Sequence, residues 1–199
     1  MAARGQLELA ELKSDQQLET AREFLRRYQP WSEEQASIRD SILEFAEHHE
    51  DAALRSCVPG HLTASALVLD STGTRALLTH HRKLERWLQL GGHCDGETNL
   101  ARAALIEAIE ESGISDLRID PSPIDVDIHT IPARKSEPEH LHLDTRFVVW
   151  APAGATEICS EESIALRWIE LAEFGELDTD QSVKRLAALV SRSSTNRSK

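Results

Sequence analysis

Apolar residues recur at helical spacing in two stretches near the start of the chain. Leu18, Ala21, Phe24 and Leu25 mark one stripe between Gln16 and Tyr28, and Ile38, Ile42, Phe45 and Ala46 mark another between Ala36 and Leu54. Intervals of three and four put such residues on one helix face, and Pro30 lies between the two stretches, where it interrupts a helix. The pattern predicts a helical hairpin that covers an edge or face of the adjoining domain, with a dimer arm as the alternative. After Pro59-Gly60 the pattern changes. His61–Asp70 and Arg75–His80 are strand-like and flank the turn Ser71-Thr72-Gly73, which predicts a β-hairpin. Short extended stretches come next around Arg118–Ile119 and over Val126–Ile131, then a polar excursion from Pro132 to Pro138 and a long strand from His140 to Trp150. Glu170 to Val190 read as mostly helical, and the Ser/Arg/Asn/Lys-rich tail from Ser191 to Lys199 reads as disordered.

Between the hairpin and the later strands lies the most informative segment. From Asn99 to Ser112 the residues Ala101, Ala104, Leu105, Ala108 and Ile109 form a packing stripe, while Glu107, Glu110 and Glu111 fall largely on the other side. A helix turns about 100° per residue, so the three carboxylates share an arc of roughly 100°. Like charges at these spacings oppose a helix by about 0.2–0.5 kcal/mol per pair. A hard divalent cation, which takes oxygen ligands, converts that repulsion into a binding site. Thr98 or Asn99 suits the N-cap and Gly113 the left-handed position after the last turn. Just upstream, Gly91, Gly92 and Gly96 form a loop whose backbone a ligand can approach closely. A solvated acidic face is the plain alternative in a chain with 34 Asp and Glu; the glycine loop ahead of the helix favours the cation.

Composition narrows the choice. A formal charge of −12 argues against nucleic acid as a partner, because that binding rests on Lys and Arg against phosphates. Cys57, Cys94 and Cys159 are odd in number and widely spaced, which suggests neither a disulfide framework nor a zinc ribbon. With no apolar run near the ~18 residues of a membrane span and no signal peptide, a soluble cytoplasmic protein without a membrane partner is expected. At 199 residues there is room for one full domain and an extension.

Gly92 through Ile114 resembles the signature of the Nudix hydrolases, G-x5-E-x7-R-E-U-x-E-E-x-G-U with U a bulky aliphatic. Gly92, Glu107, Glu110, Glu111, Gly113 and Ile114 match, and Ala108 is a small residue at the first U. Thr98 stands in place of the first glutamate and Ile106 in place of the arginine. In the family these two form an ion pair that braces the loop against the helix, so losing both leaves no orphaned charge; Glu97, one place early, is a possible stand-in. The resemblance implies an α/β fold, a Nudix-type α/β/α sandwich with a mixed sheet, spanning residues 59–190 after a helical extension over 1–58 and before a tail over 191–199. It also implies a Mg²⁺- or Mn²⁺-dependent hydrolase of a diphosphate linkage in a small nucleotide or nucleoside diphosphate derivative. Gly92, Glu107, Glu110 and Glu111 would be the metal site. Glu107, Glu110 and Glu111 would be catalytic, and Glu107 or a late-loop carboxylate, Glu161 or, preferred here, Glu162, would be the base.

Other constellations carry less. Along the strand from His140, the residues His140, His142, Asp144 and Arg146 share one face. His142 and Arg146 are candidate substrate contacts, Arg146 alternatively pairing with Asp144, and the His-x-His pair is a weaker candidate for a transition metal. Arg82 and Lys83 in the basic cluster His80-His81-Arg82-Lys83 are candidates for phosphate oxygens. Pro132 comes late for the proline of ADP-ribose hydrolases, Tyr28 is far upstream of the tyrosine of diadenosine polyphosphate hydrolases, and no coenzyme A motif is visible, so the substrate stays open. Two alternatives are an isopentenyl diphosphate isomerase-like enzyme using Cys94 and a non-catalytic ligand-sensing Nudix domain. A homodimer is compatible with either.

Overall fold

The computed structural model describes residues 5–82, 84–134, 137–160 and 163–196, the last four of these by backbone only. Two helices lead, α1 (Leu18–Arg27) and α2 (Glu33–His48). Strands β1 (Gly60–Leu69), β2 (Arg75–His81), β3 (Arg86–Leu88) and β4 (Leu90–His93) precede helix α3 (Leu100–Ser112). Then come β5 (Arg118–Ile119), β6 (Asp125–Ile131), β7 (His140–Trp150), β8 (Ser163–Glu170) and α4 (Gln181–Asn196).

All eight strands form one mixed sheet. The path β3-β2-β1-β7-β5 carries β4 on β1, β6 on β7 and β8 on β2. At its centre β1 is buried along its whole length and runs parallel to β7 from Gly60 opposite Leu141 to Leu69 opposite Trp150. The pairing sets the layers. On β1, Leu62, Ala64, Ala66 and Val68 pack with Ala101, Ala104, Leu105 and Ala108 of α3. Leu67 and Leu69 pack instead with Val183, Leu186 and Ala187 of α4. Because strand residues alternate between faces, α3 and α4 lie on opposite sides of the sheet, which makes an α/β sandwich.

The N-terminal hairpin lies on the α3 side. Leu25, Ile42 and Ala46 are fully buried in the same core as α3, and Phe24 meets Phe147 of β7 edge to face at 6.2 Å. Gln35 fastens it: buried, it accepts from Tyr28 at 2.8 Å and from the Val126 amide at 3.2 Å, and donates to the Val126 carbonyl at 3.1 Å. A buried amide with both ends satisfied fixes orientation as well as adding stability. α2 ends at His48, six residues before the expected Leu54, in a chain of turns.

Two further differences have physical causes. Leu90–His93 is a strand even though glycine is disfavoured there, because it pairs with β1 over Thr63–Ala66. Ser163–Glu170, for which the sequence pattern predicts no strand, pairs with β2 from Arg75 to His81. The last helix continues to Asn196, through residues expected to be a disordered tail. Among the described residues no helix is long and apolar enough to cross a membrane.

Candidate active site

Helix α3 has the predicted ends. Asn99, not Thr98, is the N-cap, its side chain accepting from the Arg102 amide at 3.2 Å. Gly113 closes the helix at φ 68°, the left-handed conformation that glycine adopts at little cost. The apolar stripe buries Ala101, Ala104, Leu105 and Ala108, which aims the opposite side at the glycine loop.

Two of the three glutamates reach that loop. Glu111 is only 9% exposed and accepts from the Gly91 amide at 3.2 Å. The Glu107 carboxyl group lies directly against Gly92: a Cβ at that position would sit 2.8 Å from Glu107 Cδ. At Gly91 a Cβ would meet the Ala64 carbonyl oxygen at 2.8 Å. Glu110 is exposed. The two obstacles differ, because a carboxylate can swing away and a backbone carbonyl in a paired strand cannot. Gly92→Ala is therefore expected to displace Glu107 and lower activity with a modest effect on stability. Gly91→Ala is expected to destabilise the fold by about 1–3 kcal/mol, as overpacking does. Thermal denaturation alongside turnover separates the two; equal stability losses would contradict this placement.

The loop is braced in a way the signature did not predict. Glu97 pairs with Arg102 through Nε at 3.1 Å and accepts from the amides of Asp15 and Asn99, both at 2.9 Å. Arg102 also donates to the carbonyls of Leu9 and Leu12. A Glu–Arg pair thus exists one place early on the loop and four places early on the helix, tied into the N-terminal segment, while Thr98 is buried. Glu97→Ala is expected to cost about 2 kcal/mol, as for lost hydrogen bonds to a charged group; chemical denaturation checks this, and no change would show the brace to be redundant.

Other predicted residues fall elsewhere. Arg82 is exposed and donates to the Ser163 carbonyl at 2.9 Å. Lys83, Glu161 and Glu162 lie outside the described residues. His142 is half-buried and Arg146 buried, both on β7, on the face turned away from α3. Of the two expectations for Arg146, a substrate contact or a pair with Asp144, the structure has the pair: Arg146 is 2% exposed and bound to Asp144 at 2.8 Å, Asp127 at 2.9 Å and Asp125 at 3.3 Å. Arg185 of α4 reaches Asp125 and Asp127 as well. A side chain held so by three carboxylates has no donor turned to solvent. Burial pushes the Asp125 carboxyl up, and its two arginines work against that.

Cys94 is fully enclosed, and burial first, then the negative charge of Asp144 and Glu107, raises its thiol well above the ordinary range. A thiol held protonated is a poor nucleophile, so nothing favours the isomerase-like alternative.

Sequence reasoning missed a group of histidines. His61 (β1), His93 (β4), His129 (β6), and His140 and His142 (β7) lie with neighbouring ring centroids 4.8–5.3 Å apart. Only the His-x-His spacing signalled it. Burial holds His93 down to about 4 and His142 to about 3, so both rings are neutral near pH 7. A surface depression lined by Arg167, Ile169, Glu173 and Leu177 lies on β8 and the segment after it and includes none of these groups.

Residues 59–189, more than half of the chain, match the model of the NUDIX domain. The chain belongs to the Nudix family and is a hydrolase. In fold it is similar to the Caenorhabditis elegans Ap4A hydrolase in its binary complex, at 17% identity over 69% of this chain and 97% of that one, with a TM-score of 0.53. A Nudix-family hydrolase from Clostridium perfringens aligns at 23% identity, 66% and 96% coverage and a TM-score of 0.49. The MutT protein from Methanosarcina mazei Go1 aligns at 19%, 71% and 97%, and 0.47. Among curated proteins none matches the chain in sequence.

Proposed function

We propose that the protein hydrolyses a diphosphate linkage in a nucleotide or nucleoside diphosphate derivative, with Mg²⁺ or Mn²⁺ held by Glu107, Glu110, Glu111 and the backbone at Gly92. One observation carries this: Glu107 and Glu111 both meet a stretch of backbone that carries no side chains. The donor set suits the group. Carboxylate and carbonyl oxygens are the ligands that hard divalent cations take, and any side chain at position 92 would fill the space beside Glu107. When bound, the cation draws charge from the bridging diphosphate and makes a nearby water more acidic.

The chain's own residues do the rest. Glu111 is anchored on the Gly91 amide and Glu107 lies against Gly92, so both carboxylates stand beside the loop before a cation arrives. Glu107, or Glu162 from the late segment, takes the proton of the attacking water. Arg82 and Lys83 neutralise the phosphate oxygens left uncovered.

The test is nucleotide or phosphate release from a panel of nucleoside diphosphate derivatives, with Mg²⁺, with Mn²⁺ and with a chelator. Release with either cation and none with chelator is expected. Release that survives the chelator would reject the cation's part, and binding without release across the panel would favour a ligand sensor.

A further inference from the structure

We propose that His61, His140 and His142 form a second metal site, for a borderline divalent transition metal such as Zn²⁺, distinct from the glutamate site. One ring nitrogen from each lies within 4.8 Å of the others. Three donors so spaced stand at most about 2.8 Å from a common centre, against roughly 2.0–2.1 Å for a zinc–imidazole bond, so side-chain rotations of under about 1 Å complete the site.

The state of each nitrogen argues for a ligand. His61 is 4% exposed, and among the described residues neither of its ring nitrogens has a hydrogen-bond partner. Burial lowers the pKa of this ring, and the nearby Cys57 backbone works against that. The Nε2 of His142 is likewise buried and has no hydrogen-bond partner among the described residues. Polar atoms buried in this way are rare and call for an explanation. At His140 the opposite holds: Nδ1 lies 2.9 Å from the Pro138 carbonyl. A carbonyl only accepts, so Nδ1 carries the proton and Nε2 keeps its lone pair, which is the arrangement that orients metal-bound histidines.

The strand register brings the three together. His61 stands directly opposite His142 across the parallel β1–β7 pair, and His140 is two residues away on the same face. His93 packs against both His61 and His142, with ring centroids 4.8 and 4.9 Å away. Neutral rings suit a metal and not a phosphate, which needs positive charge. The site lies on the α4 side of the sheet, whereas Glu107 and Glu111 come from α3 on the other. Ligand chemistry separates the two as well, since imidazole suits zinc, copper, iron and nickel, and carboxylates suit magnesium and manganese.

The test uses the full chain, stripped of metal and then titrated with Zn²⁺ against a chromophoric chelator and with Co²⁺ followed by its visible absorption, both in millimolar Mg²⁺. One equivalent of Zn²⁺ is expected to bind in spite of the Mg²⁺, with a Co²⁺ spectrum of nitrogen ligation and a raised melting temperature. His140→Ala and His142→Ala are each expected to weaken binding about 100-fold or more, since changes even in the groups behind metal ligands cost 10–100-fold. Glu111→Gln is expected to leave it unchanged. Because His140 and His142 are only half-buried, both variants should fold, which circular dichroism checks. If either fails, the wild-type titration alone decides. No Zn²⁺ binding by the wild type, binding undiminished in the folded histidine variants, or binding lost in Glu111→Gln would overturn the assignment.

Discussion

Glu111→Gln is expected to lower cation-dependent kcat/KM by about 10²- to 10⁴-fold, the range over which a positioned catalytic group contributes, while the protein keeps its fold. Burial sets this expectation. Glu111 is 9% exposed and receives the Gly91 amide at 3.2 Å. Glutamine has nearly the same size and retains a carbonyl oxygen for that amide, so the loop stays where it is. What goes is the charge, and with it the affinity for a hard cation beside the loop. Steady-state kinetics with Mg²⁺ and a melting curve check both halves. Turnover within a few-fold of wild type would show that Glu111 only anchors the loop.

The largest effect on stability is expected from Arg146→Met. Arg146 is 2% exposed and binds three aspartates, of which Asp144 and Asp125 are also buried. Removing one partner of a buried ion pair leaves uncompensated charge and typically costs about 3–5 kcal/mol. The remaining partners soften this only in part. Arg185 still reaches Asp125 and Asp127, but Asp144 would keep, among the described residues, the hydroxyls of Ser65 at 2.7 Å and Thr63 at 3.1 Å. In the wild type the Asp144 carboxyl is kept low against its own burial, chiefly by the Arg146 charge. Urea unfolding measures the difference; a loss under about 1 kcal/mol would mean that the cluster does not hold β6 and β7 to α4.

The elements that proved legible are those whose signals are local. The α3 helix carries its cap, its stripe and its stop within fifteen residues, Asn99 to Gly113, and β7 has the predicted limits of His140 and Trp150. β4 was hidden because Gly91 and Gly92 read as loop and become strand only by pairing with β1. β8 was hidden because its half-exposed residues follow no clean alternation. The pairing of Arg146 with Asp144 was legible from their two-residue spacing, whereas its other partners, Asp125 and Asp127, come from β6 and share Arg185 of α4, and no spacing along the chain connects them. The histidine group was missed for the same reason. Its five members sit on four strands, and only the parallel β1–β7 register brings His61 to His142. The Glu97–Arg102 brace lay within sight, since both residues are in the loop and first turn, but the signature drew attention to positions 98 and 106.

The most direct measurement of the central claim is Mn²⁺ binding observed by electron paramagnetic resonance in the His140→Ala background, which silences the histidine site. Mn²⁺ is expected to bind that protein and to be released when Glu107→Gln or Glu111→Gln is added, with the fold intact. Mn²⁺ held equally well by all three proteins, or by none of them, would contradict a cation site between the glycine loop and α3.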